Sequence, residues 1–305
     1  MDLHSHTTAS DGSLSPEQLV IQAARQGLRV LAITDHDTTE GLPPAMSEAR
    51  RWDLTVVPGV EISTISGPEE IHLLGYFVDL GNVALQELLA RTRQARWDRA
   101  QKMLARLADL GLPLEWERLS EIASESASIG RPHVAATMLE AGYVGSFNEA
   151  FDMWIGRGRP AYIERYKLAP EEAIQLVRQS GGLPVLAHPY FCTWRGECTA
   201  ALDLGHWLPR LRAAGLEGIE AYYPRYTRSL NRKLLGLAIE HGLLITGGSD
   251  FHGGLLGQGL GSVDVPWAVW EGLERRNRLE QPTVRSQVEV RADQHPAMSP
   301  SRIAT

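Results

Sequence analysis

Cysteine is scarce in this chain. Cys192 and Cys198 are the only two among 305 residues, too few for a disulfide framework in a chain that can build its own core, so a reducing compartment is expected. No apolar run approaches the length of a membrane span, and the start Met1-Asp2-Leu3-His4 has neither a charged n-region nor an apolar h-region. A cytoplasmic protein with no membrane partner is the expectation. Surplus positive charge is missing too. The formal charge of −7 argues against gripping long duplex nucleic acid with a broad basic surface, yet allows a small anion held by a few local cations. A Gly-x-Ser-x-Gly elbow, a catalytic cysteine motif, a Walker P-loop and a dinucleotide-binding glycine signature are all absent, so nothing points to covalent nucleophilic catalysis.

What is present is an ordinary globular composition, 43% apolar and 22% charged, in a length that one α/β barrel with a small insert absorbs. Short β-branched runs alternate with helical stretches: Val30 to Thr34, Thr55 to Val60, Ile71 to Tyr76, Leu183 to Ala187, Gly218 to Ala221 and Leu243 to Thr246. That alternation predicts repeated β/α units. Ser15-Pro16-Glu17 reads as a helix start closed at Gly27, and Ala169-Pro170-Glu171 as another closed at Gly181-Gly182. The middle carries helical signals and almost no strand signal. The expected layout is a first barrel part over 1–84, a helical insert over 85–165, a second barrel part over 166–276 and a polar, disordered tail over 277–305. The arginines of the insert's first helix, among them Arg93, Arg96 and Arg99, read as a solvated face with no assigned role.

Histidines and carboxylates gather at predicted strand ends. In His4-Ser5-His6, strand alternation puts both imidazoles on one face, with Cα atoms about 6.6 Å apart. Asp11 lies in the next loop, and the apolar run Val30 to Thr34 ends in Asp35-His36-Asp37, groups costly to bury without charged partners. Glu61, His72, His188 and the Asp250-Phe251-His252 motif complete the series. A lone histidine at a strand end is more often a hydrogen-bonded structural residue than a ligand. Six such motifs are different, because the C-terminal ends of barrel strands converge on one mouth. The reading is a shared metal site, whose nitrogen and oxygen donors suit manganese, iron or zinc. Cys192, four residues after His188, reads as a packing or loop residue.

His4-Ser5-His6, Thr34-Asp35-His36-Asp37, Ala187-His188-Pro189 and Ser249-Asp250-Phe251-His252 resemble the four signature motifs of the polymerase and histidinol phosphatase (PHP) superfamily, over roughly residues 1 to 80 and 168 to 275. The resemblance implies an α/β fold, a distorted seven-stranded PHP barrel, holding two or three divalent ions, with Mn2+ first and Zn2+ or Fe2+ as alternatives. By motif position, His4, His6, Glu61 and Asp250 would hold one ion; Glu61, His72 and His188 a second, with Glu61 bridging; and Asp11, His36 and His252 a third. Glu61 and Asp250 are the expected catalytic carboxylates. Asp35 is expected to orient a ligand imidazole or, alternatively, to act as a general acid. Adjacent ions of this kind acidify a shared water and clamp phosphate oxygens, which is the chemistry of phosphate-ester hydrolysis.

In the insert, Gly130-Arg131-Pro132-His133 and Gly158-Arg159-Pro160 present glycine-flanked arginines suited to phosphate oxygens. The first segment resembles the Arg-x-His segment of the nucleoside 3′,5′-bisphosphate phosphatases and related short-RNA 5′ to 3′ exonucleases of the superfamily. At the position of Arg159 those proteins usually carry lysine. The resemblance implies substrate contacts by Arg131, His133 and Arg159, and removal of the 3′-phosphate from compounds such as 3′-phosphoadenosine 5′-phosphate. Arg157 reads equally as a surface charge. Tyr222 and Tyr223 read either as nucleoside contacts or as barrel-rim packing. The expected partner is a small phosphorylated nucleotide or a short oligonucleotide. Exonuclease, histidinol-phosphate phosphatase and a noncatalytic metal-stabilised module are the rival readings, the last opposed by nine occupied ligand positions.

Overall fold

A computed structural model describes residues 1–67, 69–123, 128–164, 168–192, 197–253 and 259–280. Six strands form its centre: β1 (Val30–Ile33), β2 (Thr55–Ser66), β3 (Glu69–Tyr76), β4 (Leu183–Leu186), β7 (Gly218–Tyr222) and β8 (Leu244–Gly247). They make one curled sheet in the order β1-β2-β3-β4-β7-β8. β1 and β4 are buried at every position, as expected of strands covered on both faces. The pairs β1–β2, β4–β7 and β7–β8 are parallel. Where the sequence predicts a β/α unit, β2 instead runs on to Ser66 and turns at Gly67, at φ +54°, into an antiparallel pairing with β3. β3 also pairs antiparallel with β4.

The N-terminal segment lies between the two edges of this sheet. Asp2 bridges Leu31 on the β1 side and Ser5 bridges Phe251 beyond β8. With six strands and this segment, the ring has seven staves. Around it lie α1 (Pro16–Arg25), α2 (Leu42–Ala49), α7 (Pro170–Gln179), α8 (Leu204–Ala214), α9 (Arg228–Glu240) and α10 (Trp267–Glu280). Ser15 and Gln18 close a capping box on α1, and Gly27 and Gly181 take positive φ just beyond α1 and α7. α10 continues four residues past Arg276, where the sequence pattern suggests a tail; the remainder of that tail lies outside the described residues. Among the described residues, no helix is long and apolar enough to cross a membrane.

Between the barrel parts run α3 (Val83–Asp109), α4 (Trp116–Ile122), α5 (Arg131–Glu140), α6 (Phe147–Ala150) and one π-helical turn, Phe151–Ile155. α3 belongs to two cores. Its Leu85, Leu88 and Leu89 pack with barrel residues such as Ile62 and Ile174, whereas Met103, Leu104 and Leu107 pack with Leu119, Val134 and Met138. One long helix therefore carries the helical segment on the barrel and sets the distance between them.

A small hairpin, β5 (Tyr190–Cys192) with β6 (Cys198–Ala200), lies just after His188. Cys192 and Cys198 face each other across it and are joined as a disulfide. This corrects the packing or loop role expected of Cys192. A link between residues six apart closes only a short loop, so it ties one hairpin and not a framework.

Candidate active site

The donors converge because each stave delivers its side chain to the same end of the ring. Glu61 is the hub. Its carboxylate lies 3.2 Å from His4 Nε2, 3.2 Å from His6 Nε2, 3.2 Å from His36 Nδ1, 2.6 Å from His72 Nδ1 and 3.1 Å from His188 Nε2. Asp250 Oδ1 sits 3.3 Å from His4 Nε2 and 3.1 Å from His6 Nε2, and His252 Nε2 lies 3.3 Å from Asp11. Ligand atoms within 4.8 Å of one another form three groups: His4, His6, Glu61 and Asp250; His6, Asp11, His36 and His252; and His36, Glu61 and His72. His6 is thus common to two groups. His36 stands by Glu61 and His72 as well as by Asp11, while His188 reaches the centre through its contact with Glu61.

These donors fit cations better than they fit one another. Both ring nitrogens of His6 and Nδ1 of His36 are buried without an aligned hydrogen bond, although carboxylate oxygens stand 3.1 Å from His6 Nε2, 3.9 Å from His6 Nδ1 and 3.2 Å from His36 Nδ1. Close but misaligned donors that share a centre are what a metal site presents. The electrostatics agree. Burial opposes ionisation of Glu61, yet His36, His72 and His4 hold its carboxyl well below the usual range. Burial likewise opposes ionisation of Asp11 and Asp250, and the surrounding histidines hold both well below it too. Burial depresses His6, but Asp250 and Glu61 override it and push its pKa up to about 10. Burial wins at His36, which falls to about 3. Three non-glycine residues here, Asp37, His188 and Asp250, take positive φ, the kind of backbone strain that collects at functional sites.

Around the donors is a cavity of about 230 Å³, and from the helical segment Arg96, Arg99, Arg131 and Phe151 line it. A neighbouring cavity of about 360 Å³ shares His72, Arg131, His188 and Phe191 with it and adds Arg157. Arg131 stands over the rings of Phe151 and Tyr162, 5.6 and 5.9 Å from their centres, with Glu70 at 4.0 Å.

The structure redistributes several expected roles. Asp35 does not line the cavity and makes no hydrogen bond to a histidine ring among the described residues. Its carboxylate accepts from Thr7 N and Oγ1, both at 2.7 Å, and from Ser10 Oγ at 2.6 Å, so it shapes the loop between His6 and Asp11. His133 is buried and caps α5, its Nδ1 accepting from Gly130 N at 2.9 Å; it is absent from the cavity wall. Arg157 and Arg159 are both exposed, but Arg157 lines the second cavity and Arg159 lines neither. Tyr223 lines the first and donates to Asp250 Oδ2 at 2.6 Å.

Arg96 and Arg99, read from the sequence as solvated, are 8% exposed. Arg96 pairs with Asp37 at 2.6 Å, and Arg99 Nε donates to Ile163 O at 2.8 Å. A signal was there: Arg96 falls four residues from both Thr92 and Ala100 on the helix's buried stripe. Glu220, a carboxylate in the middle of an apolar strand, also escapes the sequence reading. It is fully buried against His4.

Comparison with known proteins places this arrangement. The PHP domain model matches residues 2–106. The 5′-3′ exoribonuclease Rnm of Salmonella typhimurium is 36% identical over 283 residues, covering 88% of this chain and 93% of the relative. The 3′,5′-nucleoside bisphosphate phosphatase of Chromobacterium violaceum is 32% identical over 286 residues, covering 90% and 97%. A solved structure of a candidate metal-dependent phosphoesterase from Bifidobacterium adolescentis superimposes with a TM-score of 0.82 at 30% identity, covering 90% of this chain and 95% of that one. The strand-end histidines and carboxylates, the curled ring that gathers them and these likenesses agree: the chain belongs to the PHP family of metal-dependent phosphoesterases.

Proposed function

We propose that this enzyme hydrolyses the phosphorus–O3′ bond of small nucleotides that carry a 5′-phosphate. The observation that carries this reading is the cavity's two-sided chemistry, with Glu61, Asp250 and histidines on its barrel wall and Arg96, Arg99 and Arg131 on its helical wall. One wall suits the cations that attend a reacting phosphate, and the other supplies guanidinium groups for a second phosphate. A 3′,5′-bisphosphate and a short 5′-phosphorylated oligonucleotide offer the same bond. They differ in whether the 3′-phosphate is terminal or carries the next nucleotide. In both, water's oxygen joins phosphorus, the P–O3′ bond breaks and the first nucleotide keeps a 3′-hydroxyl. The activities named for the two relatives then need one catalytic geometry.

Bound divalent ions, Mn2+ being our first choice, would acidify a water and neutralise phosphate charge. The chain's own residues do the rest. His4, His6, Glu61 and Asp250 would hold one ion, Glu61, His72 and His188 a second, and Asp11, His36 and His252 a third. Tyr223 anchors the outer oxygen of Asp250, and Arg131 stands where both cavities meet. Phe191, 61% exposed, and Arg157 give the second cavity an aromatic face and a cation, which suits the base and phosphate of a nucleotide on the far side of the scissile bond.

The test uses Mn2+-supplemented enzyme with 3′-phosphoadenosine 5′-phosphate and with the 5′-phosphorylated dinucleotide pApA. The expected products are 5′-AMP with inorganic phosphate from the first and two molecules of 5′-AMP from the second. Formation of 3′-AMP from the first, or of adenosine from the second, would mean that another bond is cut and would overturn the reading.

A further inference from the structure

Every stave of the ring brings a candidate metal donor to the mouth except β7. What β7 delivers is Glu220, with no exposed surface, on the strand stretch where the register with β8 shifts between Glu220 and Tyr222. Burying a carboxylate is costly without compensating partners. Glu220 has two. Its Oε1 lies 3.1 Å from His4 Nδ1, and its Oε2 accepts the His188 backbone N–H at 2.8 Å. Neither lysine nor arginine pairs with it among the described residues. His4 and His188 belong to different parts of the donor cluster: the first stands by Asp250 and the second, at φ +20°, by the other oxygen of Glu61.

We propose that Glu220 is a positioning residue that braces donors of two metal positions at once, fixing the ring of His4 and the backbone of His188. A hydrogen on Nδ1 that points at Glu220 leaves Nε2, the nitrogen 3.2 Å from Glu61 and 3.3 Å from Asp250, with its lone pair toward the centre. A histidine ligand is usually oriented in this way by a carboxylate on its far nitrogen. Here the same carboxylate reaches further, because its second oxygen holds the donor on the neighbouring stave in a backbone conformation that L-residues rarely adopt. β7 thus relates the two positions without touching either ion. The inference depends on the metal centre and not on which nucleotide is cleaved.

The test is Glu220→Gln, which keeps shape but offers a single acceptor to two donors. Mn2+ binding is measured by equilibrium dialysis with elemental analysis, beside Glu217→Gln, a control just before the same strand that breaks only the pair with Arg276 at 3.0 Å. Glu220→Gln is expected to weaken Mn2+ binding about ten- to a hundredfold. At saturating Mn2+ its KM should match that of the wild type, and the control should bind Mn2+ normally. Wild-type Mn2+ affinity in folded Glu220→Gln would overturn the proposal, and so would a lower Tm of the ion-free protein with unchanged affinity, the mark of a merely structural carboxylate. If the variant does not fold, imidazole nitrogen NMR of the wild-type protein loaded with Zn2+ decides. A hydrogen on Nδ1 of His4 is expected; one on Nε2 would overturn the assignment.

Discussion

The barrel mouth and the helical segment both face the cavity, but they build their walls by different means. At the mouth, each donor comes from a strand, the turn that follows one or the N-terminal segment, and closure of the ring brings His4, Glu61, His188 and Asp250 together. In the helical segment, position depends on how helices pack. Arg96 and Arg99 are turned inward on the buried stripe of α3, Arg131 opens α5, and Arg159 lines neither cavity. The first wall is specified by local pattern plus one topological rule, while the second needs the tertiary arrangement of each helix. The two walls should therefore fail differently when residues are removed.

The largest effect is expected at Glu61. Five histidines converge on its carboxylate, so Glu61→Gln removes the charge that offsets the most positive part of the centre. Turnover should fall by about three or more orders of magnitude, with fewer ions retained after dialysis. Near-wild-type turnover in a metal-replete variant would show that the hub is dispensable and erase the distinction between the walls.

A second test exploits the protonation of the histidines at the mouth. His6 is pushed up to about 10 and His72 to about 9, burial pulling each down and neighbouring carboxylates overcoming it. Both rings hold a proton at pH 7 in the ion-free protein, and an ion must displace them. Metal affinity should rise by up to about tenfold per pH unit for each proton displaced, levelling off above pH 9 to 10. The ion-free protein should show the opposite sign: stability contributed by these raised groups is complete below pH 6.5 and is lost as pH climbs through 9 to 10. Calorimetric titration of Mn2+ in buffers of differing ionisation enthalpy measures the released protons. Absence of proton release at pH 7 would contradict the charge balance described for the centre.

The unequal legibility of the two walls has a physical cause. Strand ends announce themselves, because an apolar run that stops at Asp35-His36-Asp37 or at His188 would bury ionisable groups at a cost that a shared cation removes. Which acid or histidine at an exit faces the centre is less visible: Asp35 holds a loop and Glu220 braces His4, since both depend on partners far away in sequence. Six strand runs of an α/β fold are readable in the pattern and the seven-stranded barrel through the family resemblance, but the antiparallel course of β3 is not, because periodicity records burial and not strand direction. On the helices, Arg96 and Arg99 were lost to the rule that charge faces water. That rule gives way where a buried Asp37 and a functional cavity lie beneath.

The helical wall is tested at Arg131. Loss of one charge-assisted contact with phosphate is worth roughly 1.5 to 3 kcal/mol, so Arg131→Ala should lower kcat/KM on a 3′,5′-bisphosphate about ten- to a hundredfold with metal content unchanged. On the matching 3′-monophosphate the further loss should be small, because a missing 5′-phosphate interaction cannot be lost twice. Equal losses on the two substrates would assign Arg131 to the reacting phosphate or to the packing of α5.

The smallest effect separates two arginines that the sequence places two residues apart. Both are exposed, but Arg157 lines the second cavity beside Phe191 and Arg159 lines neither cavity. If the second cavity receives the nucleotide beyond the scissile phosphate, Arg157→Ala should weaken kcat/KM on a dinucleotide such as pApA by roughly two- to tenfold, as expected for a partly solvated contact. It should leave the bisphosphate nearly untouched, since that substrate has nothing beyond its 3′-phosphate. Arg159→Ala should change neither substrate. The contrast uses two exposed arginines of one short loop, so global stability and metal loading should be alike in the two variants and the difference in cavity lining is what is tested. A loss from Arg159→Ala that exceeds the loss from Arg157→Ala on pApA would place the substrate along another path, and would show that the cavity lining of the free enzyme misidentifies which arginine meets the nucleotide.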